Sequence, residues 1–216
     1  MTDAKDGVMQ RPSESLIGAP IERFEDLRFL RGKGQYVSDV ILPEQAYAVI
    51  LRSSIAHGLI VSIDTTHAEA LPGIIRVITA ADLGENIPKV PMRIEQRAEY
   101  KAFEQPALAR TKVRYVGEPI AVVVAESQAI GEDAVDAIAV DIEPLPAIVD
   151  RDDAVAGDVL LFEKNGSNQP AKLTGLKGDA DAIFATAPYT RREKFQVHRH
   201  SGMPMETRSI VAVSYT

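Results

Sequence analysis

His198 and His200 stand two positions apart, with Glu206 a short way beyond, and their types suggest metal chemistry. On a strand, alternate residues share a face, so both imidazoles would point the same way. Two nitrogens and a carboxylate oxygen are the three-ligand set of a catalytic zinc. Two neighbouring histidines are a weak signal alone, and a structural or interface role outweighs the metal reading. His57 closes Arg52-Ser53-Ser54-Ile55-Ala56-His57, where Ser53 or Ser54 would be a nucleophile and His57 its base. No Gly-x-Ser-x-Gly elbow supports that pair. The expectation is a hydrogen-bonding histidine at a strand turn, and His67 is expected to be exposed.

Three further groupings invite a site. Glu126, Glu132, Asp133, Asp136, Asp141 and Glu143 suggest a carboxylate cluster, but the helical ones fall on a solvent face. Gly32-x-Gly34 and Gly175-x-x-Gly178 resemble fragments of phosphate loops and complete no dinucleotide or nucleotide fingerprint. Arg191, Arg192, Lys194 and Arg199 form a basic stripe suited to an anionic ligand or an acidic partner surface. The chain has no Cys, which excludes disulfides, thiolate nucleophiles, zinc–thiolate sites and Cys-ligated clusters held by these residues. A net charge of -7 and a pI near 5.2 argue against a nucleic-acid or anionic-membrane binder. The first 14 residues are polar and lack an apolar signal core, so a cytoplasmic location is expected.

The elements that must position these residues follow from pattern. Residues 1–29 read as a leader or arm, with a helical turn around Phe24–Leu30 ended by Gly32 and Gly34. Tyr36–Val40 and Ala46–Leu51 read as strands about a turn at Pro43. Leu59, Val61 and Ile63 alternate along Gly58–Asp64, giving a strand. Thr66-His67-Ala68-Glu69 fits a capping box, Ile74–Thr79 a strand, and Thr79–Asp82 the start of a short helix. Residues 86–105, with several prolines, read as a long irregular excursion.

The run Ile120–Ala125 suits a strand covered on both faces, entered through Gly117 and Pro119. Ser127 is a good N-cap for the helix that follows. On that helix Ile130, Ala134, Val135, Ala137 and Ile138 face one way, and Glu132, Asp133 and Asp136 the other. Residues 139–145 are a strand, and residues 150–177 have the turn residues of a linker. Gly178-Asp179-Ala180-Asp181 opens a short helix. Tyr189–His198 and Ile210–Tyr215 read as strands joined by a turn around Ser201–Pro204. The pattern breaks off mid-domain at Thr216, as if more of that domain were carried elsewhere.

Ordered segments begin with Gly32-Lys33-Gly34-Gln35-Tyr36-Val37-Ser38-Asp39, then Leu51–His57, Ile63-Asp64-Thr65, Ala70–Gly73 and Val77–Leu83. Residues 112–127, Glu143–Ala147, Gly178-Asp179, Gln196–His200 and Met205–Arg208 complete the series. Taken together and in this order, they resemble the large subunit of the xanthine dehydrogenase, aldehyde oxidase and carbon monoxide dehydrogenase family. Ser54 stands where many members have Pro, and Ser209 where Gly is common.

The resemblance implies an α+β chain with an α/β hammerhead domain over residues 30–149. A linker over 150–177 and the first elements of a molybdopterin-binding domain over 178–216, incomplete here, would follow. It implies part of a molybdenum-dependent hydroxylase or dehydrogenase oxidising aldehydes, N-heterocycles or carbon monoxide with water as the oxygen source. The molybdenum–pyranopterin would be held elsewhere, with iron–sulfur clusters and FAD on other domains or subunits, and the rest of the molybdopterin-binding polypeptide as partner. No catalytic, cofactor-binding or metal residue of the family falls on this sequence, Glu206 included. The alternative is a stand-alone hammerhead module for binding or assembly, without catalysis.

Overall fold

The computed structural model describes residues 17, 18, 20–92, 97–197, 200, 202–204 and 206–214. The chain forms two compact units, one of residues 1–43 and 196–216, the other of residues 44–195. Most of the arm expected over residues 1–29 lies outside the described residues.

In the first unit, helix α1 (Asp26–Leu30) is one turn long. It ends in paired bonds, Lys33 N–H to the Arg28 carbonyl and Gly32 N–H to that of Phe29, both 2.9 Å. Gly32 supplies the left-handed φ of +66° that this ending requires. The expected strand at Tyr36–Val40 is instead a 3-10 turn, Val37–Asp39. The Asp39 carboxylate accepts the Tyr36 N–H at 2.9 Å, and the Asp39 N–H donates to the Tyr36 carbonyl at 3.0 Å. A short acid that bonds its own backbone offers the chain an alternative to a ladder. The strand read over Ile210–Tyr215 is also absent among the described residues. Extended chain without a hydrogen-bonded neighbour is not a strand.

The second unit holds two three-stranded sheets. Its strands are β1 (Tyr47–Arg52), β2 (Gly58–Asp64), β3 (Ile74–Thr79), β4 (Lys89–Val90), β5 (Gln105–Pro106), β6 (Lys112–Val113), β7 (Pro119–Ala125) and β8 (Ala139–Pro144). Its helices are α2 (Thr66–Glu69), α3 (Gln128–Asp136), α4 (Arg151–Ala156) and α5 (Ala180–Thr186). One sheet runs β1-β7-β3, the other β6-β2-β8, and β4 pairs with β5. All pairings are antiparallel, with Val123 opposite both Val49 and Val77. The two strand–helix–strand units therefore cross between sheets: β2–α2–β3 leaves the second for the first, and β7–α3–β8 returns.

Strand β7 is the centre of the first sheet. Ala121, Val123 and Ala125 are fully buried under α3 with Ala68, Val77, Ala134 and Ile138. Ile120 turns the other way, into a second cluster with Ala109 and Val113 against Ile60 and Ile142 of the second sheet. Val122 and Val124 are only half-buried, so the second face is less covered than a run of apolar residues suggests. Helix α3 carries the face read from its sequence, with Gly131 and Ala134 buried and Glu132, Asp133 and Asp136 exposed. Gly131 lies against β1, where an added Cβ would meet Val49 Cγ2 at 2.6 Å.

Ser127 caps α3, its Oγ accepting the Ile130 N–H at 3.3 Å. Ser127→Ala should cost about 1 kcal/mol by urea denaturation, the usual worth of such a cap. An unchanged midpoint would mean that tertiary packing alone sets the end of this helix.

Two local readings shift. The helix expected to start with a Thr66–Glu69 box has Thr65 before it, with Thr66 N–H bonded to Asp64 Oδ1 at 3.0 Å and Thr65 Oγ1 to Glu69 Oε1 at 3.0 Å. Thr79–Asp82 forms a turn rather than a helix, because Asp82 reaches back to the Thr79 N–H and hydroxyl at 2.8 and 2.7 Å. Those bonds hold the Asp82 carboxyl below the usual carboxylate range. The excursion over residues 86–105 is tied down by the β4–β5 pair and by Phe103, which is buried. Residues 189–197 form no strand.

Candidate functional site

The turn between β6 and β7 is where charge and burial coincide. Gly117, with φ of +93°, reverses the chain, and its N–H donates to the Ser53 carbonyl at 2.7 Å. Ser53 N–H returns a bond to the Glu118 carbonyl at 2.9 Å, and Arg52 Nη1 donates to the Gly117 carbonyl at 2.9 Å. The turn is thereby locked to the end of β1.

Glu118, between the glycine and Pro119, is 1% exposed. Its Oε2 accepts the Arg114 N–H, while Oε1 has no protein hydrogen-bond partner. Burial pushes its carboxyl up, and the Arg114 N–H and guanidinium and the Tyr115 N–H pull the other way. Partial burial of its own ring, with Glu118 as a nearby negative charge, raises the Tyr115 phenol. Sequence reasoning read this stretch as a turn and passed over Glu118. A carboxylate between a glycine and a proline reads as turn composition, and only its enclosure marks it out.

Arg114 connects this turn to the segment after β8. Its Nε donates to the Leu161 carbonyl at 2.9 Å, and its guanidinium lies 4.8 Å from the centre of the Phe162 ring, a cation–π contact. Phe162 meets Phe103 edge-on with centroids 5.3 Å apart. Lys112, almost buried, pairs with Glu163, and that contact holds the Glu163 carboxyl below its ordinary range. Asn165 Nδ2 donates to the Ala102 carbonyl at 2.8 Å.

Asn168 knots the segment to itself, accepting from Leu161 N–H at 2.8 Å and donating to the Val159 carbonyl at 2.7 Å. Residues 158–168 thus form a strap seated on residues 102–114. Between them lies an open cleft of about 340 Å³, lined by Lys112, Arg114, Glu104, Phe162, Glu163 and Lys164 among others.

Phe162→Ala removes both aromatic contacts and should raise proteolytic nicking within residues 158–168 several-fold, since local opening governs cleavage. Nicking at the wild-type rate would show that the aromatic contacts do not hold the strap.

Within the unit of residues 44–195, the described residues singled out from sequence do not come together as a site. His57 is buried, with Nδ1 2.7 Å from the Pro146 carbonyl, which makes it a donor there. Its own carbonyl accepts the Leu145 N–H at 2.8 Å, so it ties β2 to the chain leaving β8. Ser53 Oγ is occupied by Ile55, donating to its carbonyl at 2.8 Å and accepting its N–H at 3.0 Å. Neither is arranged as a nucleophile and base. His67 and all six acids of the suggested cluster are exposed.

A Cβ added to Gly32, Gly175 or Gly178 would meet nothing within 4 Å, whereas one added to Gly34 would meet Phe29 Cδ1 at 3.0 Å, so Gly175 and Gly178 stand in open space and Gly34 is closed off by its own neighbours. In the basic stripe Arg191 pairs with Glu193, and Lys194 with Asp152 at 3.4 Å, whereas Arg199 lies outside the described residues. His198 lies outside them as well, and Glu206 Oε1 accepts the Val37 N–H at 3.3 Å. No group of three or more metal-ligating side chains occurs among the described residues.

The described residues do not fit a molybdenum–pyranopterin either. Gly175 and Gly178 stand in open space, Gly34 is closed off by Phe29, and two of the cleft's cations, Lys112 and Arg114, are already engaged by Glu163 and the Leu161 carbonyl. What the arrangement can do is hold two segments together and present apolar surface. Leu176, Ile183, Phe184, Tyr189 and Phe195 are all exposed, Leu176 by 89% and Phe195 by 84%. No helix among the described residues is long and apolar enough to cross a membrane.

Comparison with known proteins gives this geometry its context. Residues 31–146 match the family model described as aldehyde oxidase and xanthine dehydrogenase, a/b hammerhead domain. The chain is 38% identical to the gamma subunit of the 6-hydroxypseudooxynicotine dehydrogenase complex of Paenarthrobacter nicotinovorans, over 92% of this chain and 25% of that one. It is 36% identical to the carbon monoxide dehydrogenase large chain of Afipia carboxidovorans, over 91% of this chain and 25% of that one. Among solved structures, a Cu,Mo-CO dehydrogenase in its carbon monoxide-reduced state superposes with a TM-score of 0.61 at 36% identity, over 80% of this chain and 23% of that chain. The chain spans about a quarter of the length of the curated relatives it matches. From the matched residues 31–146 and from relatives similar over nine-tenths of its length, the chain belongs to the xanthine dehydrogenase, aldehyde oxidase and carbon monoxide dehydrogenase large-subunit family, whose α/β hammerhead domain it carries.

Proposed function

We propose that this chain works as the hammerhead-bearing part of a molybdenum hydroxylase large subunit, packing against the catalytic region and shaping the approach of substrate to it. The observation that carries the reading is the quarter-length match: over nine-tenths of this chain aligns, while three-quarters of each relative has no counterpart here. The exposed Leu176, Ile183, Phe184, Tyr189 and Phe195 supply apolar surface for docking.

In this reading a molybdenum–pyranopterin would be held by the remaining large-subunit sequence, where it would supply the oxidation of an aldehyde, an N-heterocycle or carbon monoxide with oxygen from water. Iron–sulfur and flavin subunits take the electrons. The residues of this chain bind no cofactor.

The test is to express the chain alone and together with the molybdopterin-binding region of a relative such as the Afipia large chain. Alone it should hold no stoichiometric molybdenum by plasma mass spectrometry; together the two should copurify, with molybdenum in the complex. Stoichiometric molybdenum and turnover in the isolated chain would overturn the proposal, and failure to associate would favour a stand-alone binding module.

A further inference from the structure

The strap carries one dipeptide whose reactivity the fold restrains. In Asn165-Gly166 the glycine leaves its backbone nitrogen unhindered for attack on the neighbouring side-chain amide. We propose that Asn165 is a self-modification site that forms isoaspartate, that seating of the strap suppresses the reaction, and that conversion in turn loosens the strap.

The step needs no cofactor, oxidant or reductant. The Gly166 nitrogen gives its proton to solvent base and attacks Asn165 Cγ. The new N–C bond makes Cγ tetrahedral, and the Cγ–Nδ2 bond then breaks as Nδ2 takes up a proton from solvent and leaves as ammonia. Water then opens the resulting succinimide at either carbonyl, giving isoaspartate or aspartate.

Both reacting groups are held in the seated strap. The Gly166 N–H donates to the Glu163 carbonyl at 3.1 Å, inside the 3-10 turn Glu163–Asn165. The leaving amide donates to the Ala102 carbonyl at 2.8 Å. The turn itself is anchored on either side, by Phe162 between Arg114 and Phe103 and by Glu163 on Lys112. Attack requires the Gly166 nitrogen and the Asn165 side chain to leave these partners, so the reaction proceeds from the opened strap and its rate follows that population. After conversion, an acceptor-only carboxylate replaces the amide donor opposite the Ala102 carbonyl. It shares the cleft with Glu104 and Glu163, so the seat loses a bond and gains repulsion.

The 216-residue chain is incubated in mildly alkaline buffer, native and in urea, and Asn165 is followed by peptide mass mapping and enzymatic isoaspartate labelling. Conversion in the native chain should be at least about tenfold slower than in urea. Phe162→Ala should move the native rate toward the urea rate, and Asn165→Asp should increase proteolytic nicking within residues 158–168. Equal native and denatured rates, or an unconverted Asn165 in urea, would overturn the proposal without reference to any variant. An Asn165→Asp chain nicked at the wild-type rate would remove the link from modification to strap release.

Discussion

Gly131→Leu is expected to leave residues 44–195 without a cooperative unfolding transition. The reason is the close approach of α3 to β1. Even a single added carbon would sit 2.6 Å from Val49 Cγ2 and 3.3 Å from Val49 Cβ, with Ala125 Cβ at 3.6 Å. A branched four-carbon side chain has nowhere to go without lifting the helix off Ala121, Val123 and Ala125, which are fully buried under it. Overpacking a fitted core costs about 1–3 kcal/mol, and a leucine that lifts α3 also forfeits the burial beneath it, so the two losses together consume most of the roughly 5–15 kcal/mol that holds a domain.

Gly131→Ala separates the terms. Alanine gains roughly 1 kcal/mol of helix propensity. The contact with Val49 outweighs that gain, so a net loss of about 1 kcal/mol is expected. Val49→Ala in the same chain should recover most of it, because the two residues touch and their effects are coupled. A Gly131→Leu chain that melts within a few degrees of wild type would show that α3 does not need this contact.

Glu118→Ala is expected to be the most damaging removal of a polar side chain. It leaves the Arg114 N–H unsatisfied where the carboxyl was enclosed, and it opens a cavity. A cost of about 2–4 kcal/mol follows from those two effects together. Because Arg114 also grips Leu161 and Phe162, strap opening should increase in the same variant.

Glu118→Gln keeps an acceptor for the amide but cannot ionise, and so isolates the pH dependence. Burial raises the folded-state pKa of Glu118 above its unfolded value, so the folded state holds the proton more tightly. Its contribution to stability is then fully present below the unfolded pKa and lost as pH rises through the folded one. Asp64, Asp82, Glu99 and Glu163 are shifted the opposite way and lose their contributions as pH falls, equally in both chains. The difference between wild type and Glu118→Gln in urea midpoint should therefore move in favour of the glutamine chain as pH rises through that window. Parallel curves across it would show that Glu118 is not titrating against its enclosure.

Much of this fold was legible in residue order. Ser127 as cap, the Ile130–Ile138 face of α3, the strand alternation of Gly58–Asp64 and the apolar run at Ile120 each express a local period, and local periods survive folding. The ordered family segments identified the hammerhead, and residues 31–146 match its model. What was hidden is non-local or is set by one side chain. Asp39 and Asp82 each bond back to residues three positions earlier, replacing an expected strand and an expected helix with turns. Nothing in the alternation of β2 or β8 says which sheet each joins, because period records which face is apolar and not which neighbour supplies the hydrogen bonds. Residues 150–168 have the composition of a connector, and the contacts of Phe162, Glu163 and Asn165 depend on groups some fifty residues earlier or more. Glu118 escaped because burial is a property of the folded chain.

The sheet order also sets a clock on synthesis. Among the described residues β1 and β3 pair with β7 and no other strand, and β2 finds its long partner in β8. A ribosome releases the first three strands before either partner exists, and none of the three pairs with another. The gap from Arg52 to Pro119, at about 5–20 residues per second, leaves β1 unpaired for roughly 3–13 seconds. Through that interval Val49, Leu51, Ile60, Ile63 and Val77 have no sheet to join, and the nascent chain is a natural client for a holding chaperone until Pro119–Ala125 arrives between its two neighbours.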